Sequence, residues 1–273
     1  MTRIYPVNPP LDISRALALG AVQGPAELLP ISSSAHISLL PWFAGWRRDE
    51  LSPASRKDFE VALHAGTAVA LVVGQRQAIA EELGRMDQRR LVAVALAAAV
   101  PAAVGFAFER PIEERLSGPA TIAVGLVAGA VAMLLADRRP QDRHPDELNA
   151  VDGLALGAAQ GAALFPGVSR TGATVAAARW RRFTRREANL LSRTVALPVI
   201  LGAAALRARR MGHRKIDPGM RRSMGAGALA AAASTLASQS LIAILDRDGS
   251  AWPYAAYRLV LAGAIAIKLR WGG

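Results

Sequence analysis

The chain has 273 residues, of which 52% are hydrophobic and only 5% aromatic, and it contains no cysteine. Its formal net charge is +12, but the cations stand between long apolar segments, which favours anionic lipid headgroups as partners and argues against nucleic acid. Disulfide and thiolate chemistry are excluded, and the abundant small residues suit close helix packing in a membrane.

The first long apolar run, LALGAVQGPAELLPISSSAH at 17–36, is interrupted by polar residues. An amide, a carboxylate, three serines and a histidine lie in it, together with two prolines. Such groups, and non-helical backbone, are tolerated at membrane depth only against protein or a water-filled cavity. We therefore predict a re-entrant, broken helical hairpin over 13–29 and 31–45 that holds a polar site.

The start of this run recurs in the second half of the chain. LALGAVQG at 17–24 and LALGAAQG at 154–161 are identical at seven of eight positions. We interpret this as an internal duplication within a single integral membrane domain over 1–273, with repeat 1 at about 11–136 and repeat 2 at about 150–271. Broken hydrophobic segments at matching positions of two halves indicate a binding site between the repeats.

Six further apolar stretches are predicted to span the membrane. They lie at about 59–74, 91–108, 119–136, 190–206, 223–245 and 254–271. Three of them separate the two hairpins, so the second hairpin enters from the opposite face. The predicted fold is an all-α polytopic membrane protein with an inverted-topology internal repeat, in which each half has a broken helical hairpin and about three spanning helices.

In the second copy the run continues into PGVSRTGAT at 166–174, whose composition predicts an anion site. The guanidinium of Arg170 can bind phosphate through two parallel hydrogen bonds, and N–H groups at a loop-to-helix transition add donors. The predicted phosphate-binding residues carry hydroxyl groups, a small backbone or a positive charge: Ser32, Ser34, Gly167, Ser169, Arg170, Thr171 and Thr174.

In the first copy, Gln23 and Glu27 are four residues apart and share one helix face. Their oxygens suit a divalent cation, Mg²⁺ or Ca²⁺, whereas Glu27 could instead act as a general base or pair with Arg170. Ser33 is a candidate nucleophile activated by a neighbouring base, and His36 is a candidate for proton transfer. The predicted catalytic set is thus Glu27, Ser33, His36 and Arg170, and the sequence leaves open whether Ser33 or His36 is the nucleophile.

Two smaller features are ambiguous from sequence. At least one serine of 32–34 is expected to cap the helix that follows it. His64, four residues after Glu60, either lines the cavity or bridges two helices.

The two motifs together resemble the bacterial undecaprenyl-diphosphate phosphatase family, also called the bacitracin-resistance family. The resemblance rests on Gln-Gly-x-x-Glu-x-x-Pro-x-Ser-Ser-x-x-His at 23–36 and Pro-Gly-x-Ser-Arg-x-Gly-Ala-Thr at 166–174, and it extends through 59–73 and 189–206. Gln23 stands at the first acidic position of the family pattern, which allows glutamine there. A glutamine and a carboxylate make a weaker metal site than two carboxylates would.

This resemblance implies a phosphatase that converts undecaprenyl diphosphate to undecaprenyl phosphate and inorganic phosphate. It implies a multi-pass protein of the bacterial cytoplasmic (inner) membrane that recycles the lipid carrier of peptidoglycan synthesis and confers bacitracin resistance. The expected partners are a polyprenyl diphosphate substrate and membrane lipids, and a homodimer is one of the states that the sequence allows.

The alternative from another functional class is a secondary transporter or flippase for a polyprenyl phosphate or another anion. Inverted repeats with broken helices are transporter architecture, and an anion site would serve carriage as well as cleavage. The combination of serine, histidine and glutamate in one motif favours hydrolysis.

Overall fold

The computed structural model describes residues 11–46, 52–212, 216–247 and 249–271. Within these ranges the chain forms α-helices and one short 3₁₀ turn, and it contains no β-strand. The helices are α1 (Ile13–Leu28), α2 (Ser33–Phe43), α3 (Pro53–Gly74), α4 (Arg76–Gly84), α5 (Gln88–Arg115), α6 (Pro119–Asp137), α7 (Ala150–Ala162), α8 (Arg170–Trp180), α9 (Arg185–Gly212), α10 (Pro218–Ala237), α11 (Ser240–Asp246) and α12 (Trp252–Trp271). The ends of the predicted domain, 1–10 and 272–273, lie outside the described residues.

Each predicted broken hairpin is a pair of short helices, α1 with α2 and α7 with α8. Ser32, at a φ of 75°, caps α2 because its Oγ accepts a hydrogen bond from the N–H of Ala35 at 3.4 Å. Ser169 caps α8 in the same way, accepting from the N–H of Gly172 at 3.1 Å. With eleven residues each, α2 and α8 are about 16 Å long and too short to cross a bilayer core of roughly 30 Å.

Three helices of the described chain are long and apolar enough to cross a membrane: α5 over Gln88–Phe108, α6, and α9 over Arg185–Leu206. The helix pair α10 and α11 would make a fourth. The predicted stretches at about 59–74 and 254–271 are helical, in α3 and α12, but charged residues in these helices lower their mean hydropathy and they are not among the three.

The surface of the helices carries large exposed apolar side chains. Phe106 is 91% exposed, Leu229 74% and Val260 72%. Exposed apolar groups of this number and size are expected where a protein faces lipid instead of water. Together with the spanning helices, they describe a multi-pass membrane protein.

The structure corrects the predicted single span over 223–245. The helix breaks at Ser238 and Gln239, and α11 leaves α10 at an angle of 52°. Neither residue is a glycine or a proline, so no local breaker causes the bend. Instead, α11 packs against α9, which holds it through the side-chain contacts described below.

The first helix of each half of the chain packs against a long helix of the other half. α1 packs against α10 and α7 packs against α5, so each broken helix lies on a long helix of the other half. The shared glycines allow this close approach: a Cβ on Gly24 would lie 2.5 Å from the Thr235 nitrogen of α10, and a Cβ on Gly157 would lie 2.9 Å from the Leu96 carbonyl oxygen of α5. The repeated LALGAxQG motif is therefore a helix-packing motif as well as a frame for polar residues.

Candidate active site

Glu27, near the end of α1, is the centre of a buried polar cluster. Its carboxylate pairs with the guanidinium of Arg170 at the start of α8. Ser33 Oγ donates a hydrogen bond to Glu27 Oε2 at 2.6 Å, and Gln23 Nε2 donates to the same oxygen at 3.1 Å. Thr171 Oγ1 donates to the Glu27 main-chain carbonyl at 3.3 Å. Of the alternatives open for Glu27, the structure shows the pair with Arg170 and a hydroxyl placed for general-base catalysis.

Arg170 joins the first half of the chain to the second. Besides Glu27, its guanidinium meets the main-chain carbonyl of Ala196 in α9, to which Nη1 donates at 3.4 Å. The side chain of Glu27 is 5% exposed and that of Arg170 is 20% exposed, so the pair is largely withdrawn from solvent. The carboxylate and the guanidinium neutralise each other, which offsets the cost of burying either charge.

His64 in α3 belongs to this cluster. Its Nδ1 lies 3.3 Å from Glu27 Oε2 and 3.1 Å from Gln23 Nε2. The ring is 33% exposed, whereas the carboxylate it touches is 5% exposed. The structure shows the helix-bridging interpretation, since His64 links α3 to α1, and His64 is not among the residues that line the cleft described below.

Both ring nitrogens of His36 have hydrogen-bond partners other than Ser33. The Nδ1 of His36 lies 2.7 Å from the Ser32 carbonyl oxygen, and its Nε2 lies 2.6 Å from the hydroxyl of Tyr257 in α12. The two rings are stacked, with centroids 5.6 Å apart. Because a carbonyl only accepts, Nδ1 is the donor, and the Nε2 of the neutral ring accepts from Tyr257. The base that contacts Ser33 is Glu27.

Most of the predicted phosphate-binding hydroxyls have local structural partners. Thr174 is fully buried, and its Oγ1 lies 2.6 Å from Ser192 Oγ and donates to the Arg170 carbonyl at 2.8 Å. Ser32 and Ser169 are the helix caps, and the Oγ of Ser34 lies 3.3 Å from that of Ser32. Two of the predicted phosphate-binding residues, Arg170 and Thr171, line the cleft described below.

Arg258 in α12 is a functional candidate that the sequence analysis missed. It is fully buried and donates hydrogen bonds of 3.1–3.2 Å to four main-chain carbonyls, those of Pro30, Gly125, Leu126 and Gly167. Pro30 and Gly167 stand at the breaks of the two hairpins, and Gly167 has a φ of 89°. Arg258 therefore fixes both breaks. The available signal was an arginine followed by nine uncharged, mostly apolar residues, 259–267, given the cost of a charge at that depth.

A cleft opens next to the polar cluster. Glu27, Arg170 and Thr171 form one part of its wall, and α9 adds Asn189, Ser192 and Arg193. The remaining wall is mostly apolar: Leu28, Leu71, Leu197, Ile200, Ile242 and Leu245. This arrangement suits an amphiphile whose anionic head meets Arg170 and whose tail contacts the apolar wall.

The polar cluster offers few ligands for a metal ion. Among the described residues no group of three histidine, cysteine, aspartate or glutamate side chains is placed to hold one. However, Gln23 Oε1 is buried without a hydrogen-bond partner, four residues from the carboxylate of Glu27. Amide and carboxylate oxygens are the donors that Mg²⁺ and Ca²⁺ prefer, and Mg²⁺ commonly takes its other ligands from water and substrate phosphates. The residues present therefore fit a cation that binds together with a phosphorylated substrate.

Known proteins resemble the chain over most of its length. A family model described as bacitracin resistance protein BacA matches residues 16–264. The undecaprenyl-diphosphatase of Geobacter sulfurreducens is 38% identical over 273 residues, covering 95% of this chain and 99% of that protein. The undecaprenyl-diphosphatases of Geobacter metallireducens and Moorella thermoacetica are 36% and 35% identical, covering 91% and 96% of this chain and 95% and 99% of their own length.

Proposed function

The chain belongs to the bacitracin resistance protein family, and from this premise we propose that it is a membrane phosphatase that hydrolyses undecaprenyl diphosphate to undecaprenyl phosphate and inorganic phosphate. The observation that carries the proposal is the cleft, in which Glu27 and Arg170 adjoin an apolar wall and Glu27 accepts a hydrogen bond from Ser33. A polyprenyl diphosphate needs both an anion site and an apolar path for its tail. The reaction would recycle the lipid carrier of peptidoglycan synthesis in the cytoplasmic membrane and confer bacitracin resistance.

The first half of the proposed reaction is phosphoryl transfer to Ser33. Arg170 binds the terminal phosphate, which replaces Glu27 as its partner. Glu27 then accepts the proton of the Ser33 hydroxyl, which already donates to it. The Ser33 oxygen bonds to the terminal phosphorus while the bond from that phosphorus to the bridging oxygen breaks. Undecaprenyl phosphate leaves with the bonding electrons and takes the proton from Glu27, and Arg170 stabilises the charge on the phosphoryl oxygens.

The second half is hydrolysis of the phosphoserine. Glu27 accepts a proton from water as the water oxygen bonds to phosphorus. The bond between phosphorus and the Ser33 oxygen breaks, inorganic phosphate leaves, and Glu27 returns the proton to Ser33. His64 holds Glu27 and Gln23 in place throughout, since it contacts both side chains.

A divalent cation, Mg²⁺ or Ca²⁺, is part of the proposal. Gln23 Oε1 and Glu27 would hold it, and when bound it would supply positive charge to the phosphates. We expect a chelator to lower phosphate release by the purified protein and added Mg²⁺ or Ca²⁺ to restore it. A Gln23→Leu variant, which lacks the amide oxygen, should need more cation for the same rate. Equal rates with and without chelator would remove the cation from the proposal.

The proposed architecture is a single membrane domain with an inverted-topology repeat. It is supported by the exchange of packing partners, in which α1 lies on α10 as α7 lies on α5, and by the pairing of α6 with α12 and of α3 with α9. The homodimer and the bound membrane lipids stay predictions.

Phosphate release by the purified protein in detergent tests the proposed function. Undecaprenyl diphosphate or farnesyl diphosphate would be the substrate, and no ion gradient is present in a detergent solution. We expect release of one phosphate per molecule of substrate. Movement of the carrier lipid across vesicles without any release of phosphate would instead favour the transporter.

A further inference from the structure

A second arginine, Arg193 of α9, lines the same cleft as Arg170. Arg170 donates to the carbonyl of Ala196, which follows Arg193 by three residues. Positions three apart on a helix lie on one face, about 4.5 Å apart along its axis. Both guanidinium groups therefore approach the same side of α9, with Ser192 next to them.

Arg193 is held by a carboxylate in the geometry that a phosphate also takes. Its Nη1 and Nη2 each donate to one oxygen of Asp246, and both distances are 2.9 Å. This two-bond geometry is the one in which arginine also binds phosphate oxygens. The two side chains are 22% and 29% exposed, so an anion in the cleft can reach the pair.

Among the described residues, the charged side chains that line the cleft are those of Arg170, Arg193 and Glu27. Each cation has a carboxylate partner, Glu27 for Arg170 and Asp246 for Arg193. A monophosphate needs one of these arginines. A diphosphate carries two phosphoryl groups joined by one oxygen, and it can engage both.

We propose that Arg193 is the second phosphate-binding cation of the cleft, which exchanges Asp246 for a phosphoryl group of the substrate and so selects a diphosphate headgroup. This inference rests on the proposed function. When Arg170 binds the terminal phosphate beside Ser33, Arg193 binds the phosphate that is attached to the lipid. That placement directs the tail along α11, whose Ile242 and Leu245 form part of the apolar wall.

Breaking the Arg193–Asp246 pair from each side separates this role from a structural one. In Arg193→Gln the cleft loses a phosphate donor, so the KM for farnesyl diphosphate should rise about tenfold, with a much smaller change in kcat. In Asp246→Asn the competing carboxylate loses its charge while Arg193 remains, so KM should fall or stay unchanged. If the pair only holds α11 on α9, both variants lose the same contact and both should change KM in the same direction.

Two further variants and one binding measurement complete the experiment. Arg193→Lys keeps the charge but not the paired donors, and it should recover part of the affinity. Arg182→Gln breaks an exposed pair with Asp142 elsewhere in the chain and should leave KM unchanged. Titration calorimetry with inorganic pyrophosphate reads the site without turnover, and it should show weaker binding in Arg193→Gln and unweakened binding in Asp246→Asn.

The outcomes separate this inference from the proposed function. If the wild type releases phosphate and Arg193→Gln has the wild-type KM, or if both pair variants raise KM, the role of Arg193 is wrong and the phosphatase stands. If the wild type releases no phosphate, the phosphatase fails. Pyrophosphate binding then tests, without turnover, whether Arg193 binds phosphate. Equal pyrophosphate binding in all variants would show that it does not.

Discussion

Glu27 and Arg170 are 143 positions apart, and each supplies the countercharge of the other inside an apolar environment. Such a pair is costly to break by removing one partner, because the remaining charge is then buried alone. A phosphate that replaced the carboxylate would keep Arg170 paired, and Glu27 would keep its hydrogen bonds from Gln23 and Ser33. In the proposed mechanism, binding of phosphate to Arg170 frees the Glu27 carboxylate of its ion pair while Glu27 stays in contact with the Ser33 hydroxyl.

Replacing Ser33 by alanine should abolish most of the activity. The variant lacks the hydroxyl that Glu27 activates, and we expect phosphate release to fall by about a hundredfold or more. Ser34→Ala is the matched comparison, because the Ser34 hydroxyl is hydrogen-bonded to Ser32, whereas the hydroxyl that contacts Glu27 is that of Ser33. We expect a much smaller loss of activity in Ser34→Ala. Steady-state rates with farnesyl diphosphate measure both. A wild-type rate in Ser33→Ala would show that Ser33 is not the nucleophile, which would then be water or His36.

The sequence indicates which residues gather here better than it indicates what each one does. Gln23 and Glu27 are four residues apart on α1, so their proximity follows from helix periodicity, and Ser33 is brought to them by the break between α1 and α2. The hydroxyl groups of Ser169 and Thr174 carry no such information, because a serine or threonine serves equally well as a ligand or as a cap. Only the partners supplied by the fold distinguish the two roles.

Among the helices, α1 and α10 approach each other closely in the site region. Gly24 has no room for a side chain, since a Cβ would meet the backbone of Thr235. We expect Gly24→Ala to lower the free energy of unfolding by about 1–3 kcal/mol and to reduce activity, because it displaces the helix that carries Glu27. Gly263→Ala in α12, where a Cβ meets nothing within 4 Å, should leave stability unchanged or raise it. Thermal unfolding in detergent compares the two, and equal melting temperatures would contradict the packing account.

Arg258 should determine the stability of both hairpin breaks. Arg258→Met leaves four main-chain carbonyls without their donor, and we expect a loss of about 3 kcal/mol or more in unfolding free energy, with loss of activity. Arg270→Met on the same helix is the control, because Arg270 is exposed. If the two variants melt at the same temperature, the carbonyl contacts of Arg258 contribute little.

Most helices could be predicted from apolar periodicity and proline breaks, and the short pairs α1–α2 and α7–α8 coincide with the predicted hairpins. The bend between α10 and α11 could not be predicted, because Ser238 and Gln239 are unremarkable in a helix. In the bent position, the end of α11 is bound to α9 through Asn189 and Arg193. Contacts between residues more than fifty positions apart leave no local pattern.

In the molecule as a whole, neither half of the chain contains a complete site. The first half contributes Glu27, Ser33 and His64, and the second contributes Arg170 and the wall formed by α9 and α11. The exchanged packing of α1 on α10 and of α7 on α5 keeps these parts together. The two halves of the chain therefore contribute different residues to one polar cluster and its cleft.

In the proposed reaction, this site hydrolyses a polyprenyl diphosphate through Arg170. The most direct measurement is phosphate release from farnesyl diphosphate by the purified wild type and by Arg170→Ala, both shown to be folded in detergent. We predict steady release by the wild type and a loss of about a thousandfold or more in the variant, because the group that binds phosphate and stabilises the transition state is gone. Near-normal release by Arg170→Ala, or none by a folded wild type, would contradict the account.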